Sequence, residues 1–353
     1  MGESGRIAFV GEDRQVHVMS ADGSKSKQVT FARVPSALTG WGGTAGKDAN
    51  TWPCWSPDGR WLVCFQASDG EDVAGPAGVS VVQVDGVEER QLVELQGPLP
   101  IYAQWSPSGD AVAVLAQVED ELQLITCRMD EVGNHLMLEH GIPLFFSWCP
   151  DGTQVLVHVG SRETGKGRLV LRDVNGEGIG HEFEDAPGSF CTPLLVREQA
   201  IYVASHGKQS VLSVSGLAGE DPRHLLPLDG LLATVLSPDG SSVAVTSAPR
   251  GESTPYEGIR VVELSDGSER VLTQDECMAF FWSPRGDSIY YVVVDIIRNC
   301  MLWHRLDLTT GERRELCRFW PSRDQLFYLH FFEQYSVSHP LLSPDGARLV
   351  FSS

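Results

Sequence analysis

The segment from Arg318 to His339, Arg-Phe-Trp-Pro-Ser-Arg-Asp-Gln-Leu-Phe-Tyr-Leu-His-Phe-Phe-Glu-Gln-Tyr-Ser-Val-Ser-His, gathers the side chains of this chain best suited to chemistry. His330 and His339 can each exchange a proton near neutral pH, and Glu333 can orient an imidazole or share its proton. Such a set suits lyase, isomerase or cyclase chemistry, with His339 or His330 as base and Glu333 as partner. The competing reading is structural, because a single histidine at the end of a strand commonly serves a hydrogen bond instead. No local motif supports a Ser/His/Asp nucleophile, and no G-x-S-x-G elbow occurs.

The same segment is dense in rings. Trp320, Phe327, Tyr328 and Tyr335, with Arg323 among them, are candidate ligand contacts, and Phe319, Phe331 and Phe332 add to the apolar load. A wide loop cannot expose so many rings without cost, so they either bind something or complete the core. A second long loop, residues 34–52, adds Trp41 inside Thr39-Gly-Trp-Gly-Gly-Thr-Ala-Gly46. Its glycines do not make a phosphate cradle, since a strand rather than a helix follows. Asp69, Glu71 and Asp72 in the loop 67–78 lack the spacing of an EF-hand and read as solvated carboxylates. The histidines elsewhere fall singly, so no metal or other cofactor is expected.

The elements that must position these residues follow from a repeat. Six times an apolar stretch runs into Ser-Pro-Asp-Gly or a variant: Trp55-Ser-Pro-Asp-Gly59, Trp105-Ser-Pro-Ser-Gly109, Trp148-Cys-Pro-Asp-Gly152, Leu236-Ser-Pro-Asp-Gly240, Trp282-Ser-Pro-Arg-Gly286 and Leu342-Ser-Pro-Asp-Gly346. Pro presets φ, Asp bonds back to the backbone and Gly accepts positive φ, so each copy closes a tight reversal between strands. Starts lie 50, 43, 88, 46 and 60 residues apart, and the doubled gap predicts a hidden copy at Leu195-Val-Arg-Glu-Gln199. A second hairpin follows most copies, giving four short strands per unit. Helical periodicity is almost absent.

The spacing therefore predicts an all-β fold, a seven-bladed β-propeller of four-stranded antiparallel blades, as a single domain over residues 1–353. The N- and C-terminal strands are expected to share one blade, although 7–10 and 349–352 both resemble its second strand. Either one lies outside the regular sheet or the natural chain continues past Ser353. Residues just before each motif, Trp52, Tyr102, Phe145, Phe190, Thr234, Phe280 and His339, are expected to line the central channel, an aromatic rather than metal-binding wall. Trp52, Tyr102, Phe145 and Phe280 join the candidate ligand contacts.

On these motifs the chain resembles the TolB-like, PD40-repeat β-propellers, which include the non-catalytic propeller of the prolyl oligopeptidase and dipeptidyl peptidase class. The resemblance covers residues 6–353 and implies the fold. It implies a binding or interaction role at the loop-rich channel mouth, toward a peptide, a protein or a small apolar solute. Peptidase activity is not implied, because in that class it resides in a separate hydrolase domain.

Composition narrows the partners. The formal charge is −20, with 47 acidic against 27 basic residues and no Lys/Arg cluster, which argues against nucleic acid and anionic membrane surfaces. No apolar run is long enough to span a bilayer. The eight cysteines are scattered, read mostly as small buried apolar fillers, and lean toward a reducing compartment, with a Cys54–Cys64 bridge as the minor alternative. A cytoplasmic monomer is expected, or a periplasmic or secreted one if a leader has been removed.

Overall fold

The computed structural model of the chain describes residues 5–31, 49–67, 77–86, 88–95, 99–161, 166–176, 180–185, 187–189, 191–207, 209–248 and 255–353. Its fold is a seven-bladed β-propeller: seven separate antiparallel sheets whose strands are neighbours in sequence order, six of them four-stranded and the first three-stranded. The blades begin at Arg6–Val10, Ala49–Trp55, Leu99–Trp105, Leu144–Trp148, Leu194–Val196, Leu231–Leu236 and Ala279–Trp282. The hidden copy is real, since Val196 pairs with Gln199 across a two-residue turn.

The blades fall into two compact units. The first comprises Met1–Ile142 with Val174–Glu177 and holds blades one to three; the second comprises Pro143–Asp173 with Gly178–Ser353 and holds blades four to seven.

The serine-bearing motifs work as interlocked turns. In the first copy Ser56 Oγ donates to Asp58 Oδ1 at 2.7 Å and accepts from Trp61 N at 2.9 Å, while Asp58 also accepts from Arg60 N at 3.0 Å. Two copies lack the aspartate before the glycine, and both carry one just after it. Ser106 Oγ donates to Asp110 Oδ1 at 2.8 Å, and Ser283 Oγ to Asp287 Oδ1 at 2.7 Å, so the carboxylate is kept while its position shifts.

The motif also joins blades inside each unit. A Cβ on Gly109 would meet Pro57 Cδ at 3.5 Å, on Gly286 Pro238 Cδ at 3.6 Å, and on Gly346 Pro284 Cδ at 3.5 Å, so each turn glycine rests on the previous proline. At the hidden copy Val196 stands in for the proline beneath Gly240. The motif tryptophans reach back as well: Trp105 Nε1 donates to Cys54 O at 3.0 Å and Trp282 Nε1 to Val235 O at 3.1 Å. Each of these indoles satisfies its own donor while tying one blade to the next.

The two ends do not pair as one four-stranded sheet among the described residues. Arg6–Val10 pairs with Val16–Ser20, whereas 349–352 lies outside the regular sheets, its one ladder contact being the Leu342–Leu349 bridge. Side chains dock it instead: Phe351 packs on Phe319 at 4.8 Å and Trp303 at 5.9 Å, and Ser352 N donates to Gln325 Oε1 at 2.9 Å. All eight cysteines are free, seven of them buried, which fits the filler reading.

Candidate functional site

The segment after blade seven is helical rather than an open loop. Helix α1, Arg323–His330, starts at Ser322, whose side chain accepts from Gln325 N at 3.1 Å, and helix α2, Phe332–Ser338, follows after Phe331. Both signals were present in the sequence. Ser322-x-x-Gln325 is a capping-box pattern, and the buried positions 325, 329, 332, 335 and 338 recur at helical spacing.

The pair divides its rings between two tasks. Leu329 and Phe332 are fully buried in the core of blades six and seven. Phe332 meets Phe280 at 5.0 Å, Phe281 at 5.8 Å and Tyr256 at 6.1 Å, while Tyr328 packs on Phe281 and donates to His339 O at 2.7 Å. Tyr335 is buried against Phe327, Tyr328 and Phe331. Other apolar side chains here are exposed: Trp320, ahead of α1, is 62% exposed, and Phe327 and Val337 on the helices 53% and 56%. At the turn between the second and third strands of blade seven, Ile296 and Ile297 are 84% and 96% exposed. Ladder register sets Trp320 beside that turn, because Met301 pairs with Phe319 and Cys300 with Asp295.

Beside the helices lies a cavity of about 90 Å³. Phe145, Leu231, Leu232 and Tyr256 come to it from blades four and six, and His330, Phe331, Glu333 and Gln334 from the helical pair. Its exposed members, His330 and Leu231, mark the side open to solvent. Glu333 Oε2 accepts from Thr234 N at 3.3 Å. Burial nonetheless pushes its carboxyl up to about 8, outweighing the backbone donors Thr234 and Thr192 that favour the anion. Among the described residues no ion pair involves Glu333, and none gathers three His, Cys, Asp or Glu side chains into a possible metal site.

The structure thus brings His330, Glu333 and Phe145 to one cavity. His339 is not among its lining residues: its Nδ1 lies 2.9 Å from Ser338 Oγ, and burial holds its imidazole down to about 4, so it stays neutral through neutral pH. Phe280 is fully buried under Phe332, and Arg323 is exposed at the start of α1. In the first unit, Trp52 takes a left-handed conformation at φ 59° within a bulge, stacked on Phe65 at 5.6 Å and edge-on to buried Tyr102 at 5.7 Å. Trp41, Phe190, Asp69, Glu71 and Asp72 lie outside the described residues. Tyr256 and Gln334, which the sequence reading did not single out as contacts, line the cavity.

No protein-family model matches the chain. No curated protein matches it either. Solved structures do. An oligogalacturonate lyase in complex with manganese aligns at a TM-score of 0.59 and 16% identity, over 99% of this chain and 94% of that one. A prolyl endopeptidase aligns at 0.59 and 13%, over 92% of this chain and 50% of that one. TolB from Acinetobacter baumannii aligns at 0.47 and 15%, over 89% of this chain, which spans 64% of its length. At these identities the likeness to the lyase and the endopeptidase is one of fold, and the chain is a β-propeller of the kind its repeats suggest.

Proposed function

We propose that the protein is a binding propeller whose partner, an apolar peptide segment of another protein, docks on the solvent side of the α1/α2 pair. The observation that carries this reading is the exposed group of Trp320, Phe327, Val337, Ile296 and Ile297 on blade seven and its helical extension. Several large apolar side chains exposed on one blade and its extension favour an interaction surface over chance exposure. The adjoining cavity, at about 90 Å³, is well below the roughly 300–1,000 Å³ of pockets that enclose a drug-sized solute, so an extended ligand fits better than an engulfed one. A chain of charge −20 further favours a basic segment over an acidic one.

The test is to pan a displayed random-peptide library on the protein and compare enriched peptides on the Trp320→Ala/Phe327→Ala variant. Both side chains are exposed, so the fold should persist while binding is lost. Tyr328 is a poorer choice for such a test, since its packing on Phe281 makes it structural.

A second reading rests on one specific feature. His330 and Glu333 share a cavity, and a carboxyl raised to about 8 is suited to acid–base work at neutral pH, which supports lyase-type chemistry. The solved lyase shares only the fold, so the reading rests on these two residues. Turnover of an oligogalacturonate that disappears in Glu333→Gln would favour it; no turnover by the unaltered protein would remove it.

A further inference from the structure

The cavity beside α2 combines three features that call for a cation. Its carboxyl group, Glu333, is half-buried in the cavity wall, accepts from Thr234 N at 3.3 Å, and has no ion-pair partner among the described residues. A carboxyl group withdrawn from water is commonly paired, protonated or bound to a cation, and its partial burial raises this one toward its protonated form. Its walls include the rings of Phe145, Tyr256 and Phe331, whose faces carry the negative part of an aromatic quadrupole. The volume, about 90 Å³, admits a head group of a few heavy atoms and little more. We propose that this cavity is a subsite for an alkylammonium head group, the ε-ammonium of a lysine side chain or a methylated amine.

The chemistry is a displacement of one cation by another. The ammonium enters past His330 and Leu231, its charge replaces the proton on Glu333, and that proton passes to solvent or buffer. The other titratable groups facing the carboxylate leave it free to respond. Cys191 and Tyr256 are held up by burial and stay neutral, and His330 stands at the exposed rim. Binding should therefore release up to one proton per site near pH 7. Affinity should rise with pH and level off above about 8, where Glu333 is already ionised.

The subsite rests on the reading of this face as a binding surface and supplies its anchor, so the two need separable tests. Calorimetric titration of the whole chain with choline, with its uncharged isostere 3,3-dimethylbutan-1-ol, and with a short acetylated lysine peptide amide distinguishes them. Saturable choline binding is expected, with the isostere weaker by about tenfold or more. The same loss is expected in Glu333→Gln, a neutral isostere of the protonated state that should keep the fold, and in Leu231→Trp, which fills the rim. Heats measured in phosphate and in Tris should differ by the released proton.

If choline and the peptide both bind, the subsite accepts the head group from either source; if only one does, it belongs to that source. Trp320→Ala/Phe327→Ala should lose library peptides yet retain choline, whereas Glu333→Gln should do the reverse for choline. Equal binding of choline and its isostere, undiminished binding by Glu333→Gln, or no saturable binding by the unaltered protein would overturn the proposal.

Discussion

The motif turns assign separate duties to single residues. Gly59 and Gly240 both sit at positive φ, 67° and 70°, but their surroundings differ. A Cβ on Gly59 meets nothing within 4 Å, while on Gly240 it falls against Val196 Cγ2. Gly59→Ala should therefore cost about 1 kcal/mol from backbone strain alone, and Gly240→Ala clearly more, read from urea midpoints of the two variants. Equal losses would mean that the interblade contact at Val196 carries no weight. The indole ties make a second case: Trp282→Phe keeps most of the ring but strands the Val235 carbonyl, and about 1 kcal/mol should be lost. The turn chemistry was legible in Ser-Pro-Asp-Gly itself. The back-reaching tryptophans were not, because a hydrogen bond to the preceding blade leaves no local pattern around Trp282.

At the scale of elements, the helical pair is a graft whose buried side belongs to the core and whose outer side belongs to a partner. Phe332→Ala should destabilise by about 3–5 kcal/mol, since it empties a site enclosed by Phe280, Phe281 and Tyr256. Trp320→Ala should leave the melting temperature within a few degrees. A large drop for Trp320 would return that ring to the core and weaken the docking surface. The blades were readable because four short strands and a turn recur with each copy. The helices were obscured by rings on several sides: exposed Phe327 and half-buried Phe331 stand beside buried Leu329 and Phe332, which blurs the apolar stripe. The same blurring made His330, Glu333 and His339 look like one cluster. In the fold, the first two line the cavity and the third sits with Ser338.

For the molecule as a whole, the buried ionisable groups give stability a defined pH profile. Glu333 is raised from 4.5 to about 8 by burial, so its share of stability is complete below 4.5 and lost as pH climbs through 8. His158 and His339 are lowered from 6.5 to about 4 by burial, so theirs is lost as pH falls from 6.5 toward 4. At the acid end the motif carboxylates follow. Asp58 is lowered from 3.8 to about 2 by its bond from Ser56, and Asp239 and Asp345 are lowered by the equivalent serines, so their stabilisation disappears as pH drops below 3.8. Between pH 6.5 and 8 the Glu333 contribution stands apart, and thermal melts should show a falling Tm for the unaltered protein and a flat one for Glu333→Gln. The repeat made the seven-bladed architecture legible, whereas the half-buried acid that shapes this profile was one of 47 acidic residues in the sequence.

The most direct test of the binding surface is fluorescence polarisation of a library-selected peptide against the unaltered chain and Trp320→Ala/Phe327→Ala, with melts run in parallel. Saturable binding to the first, its loss in the second and matching melting temperatures are the predicted result. Equal binding to both proteins, or a library that enriches no peptide at all, would contradict the account.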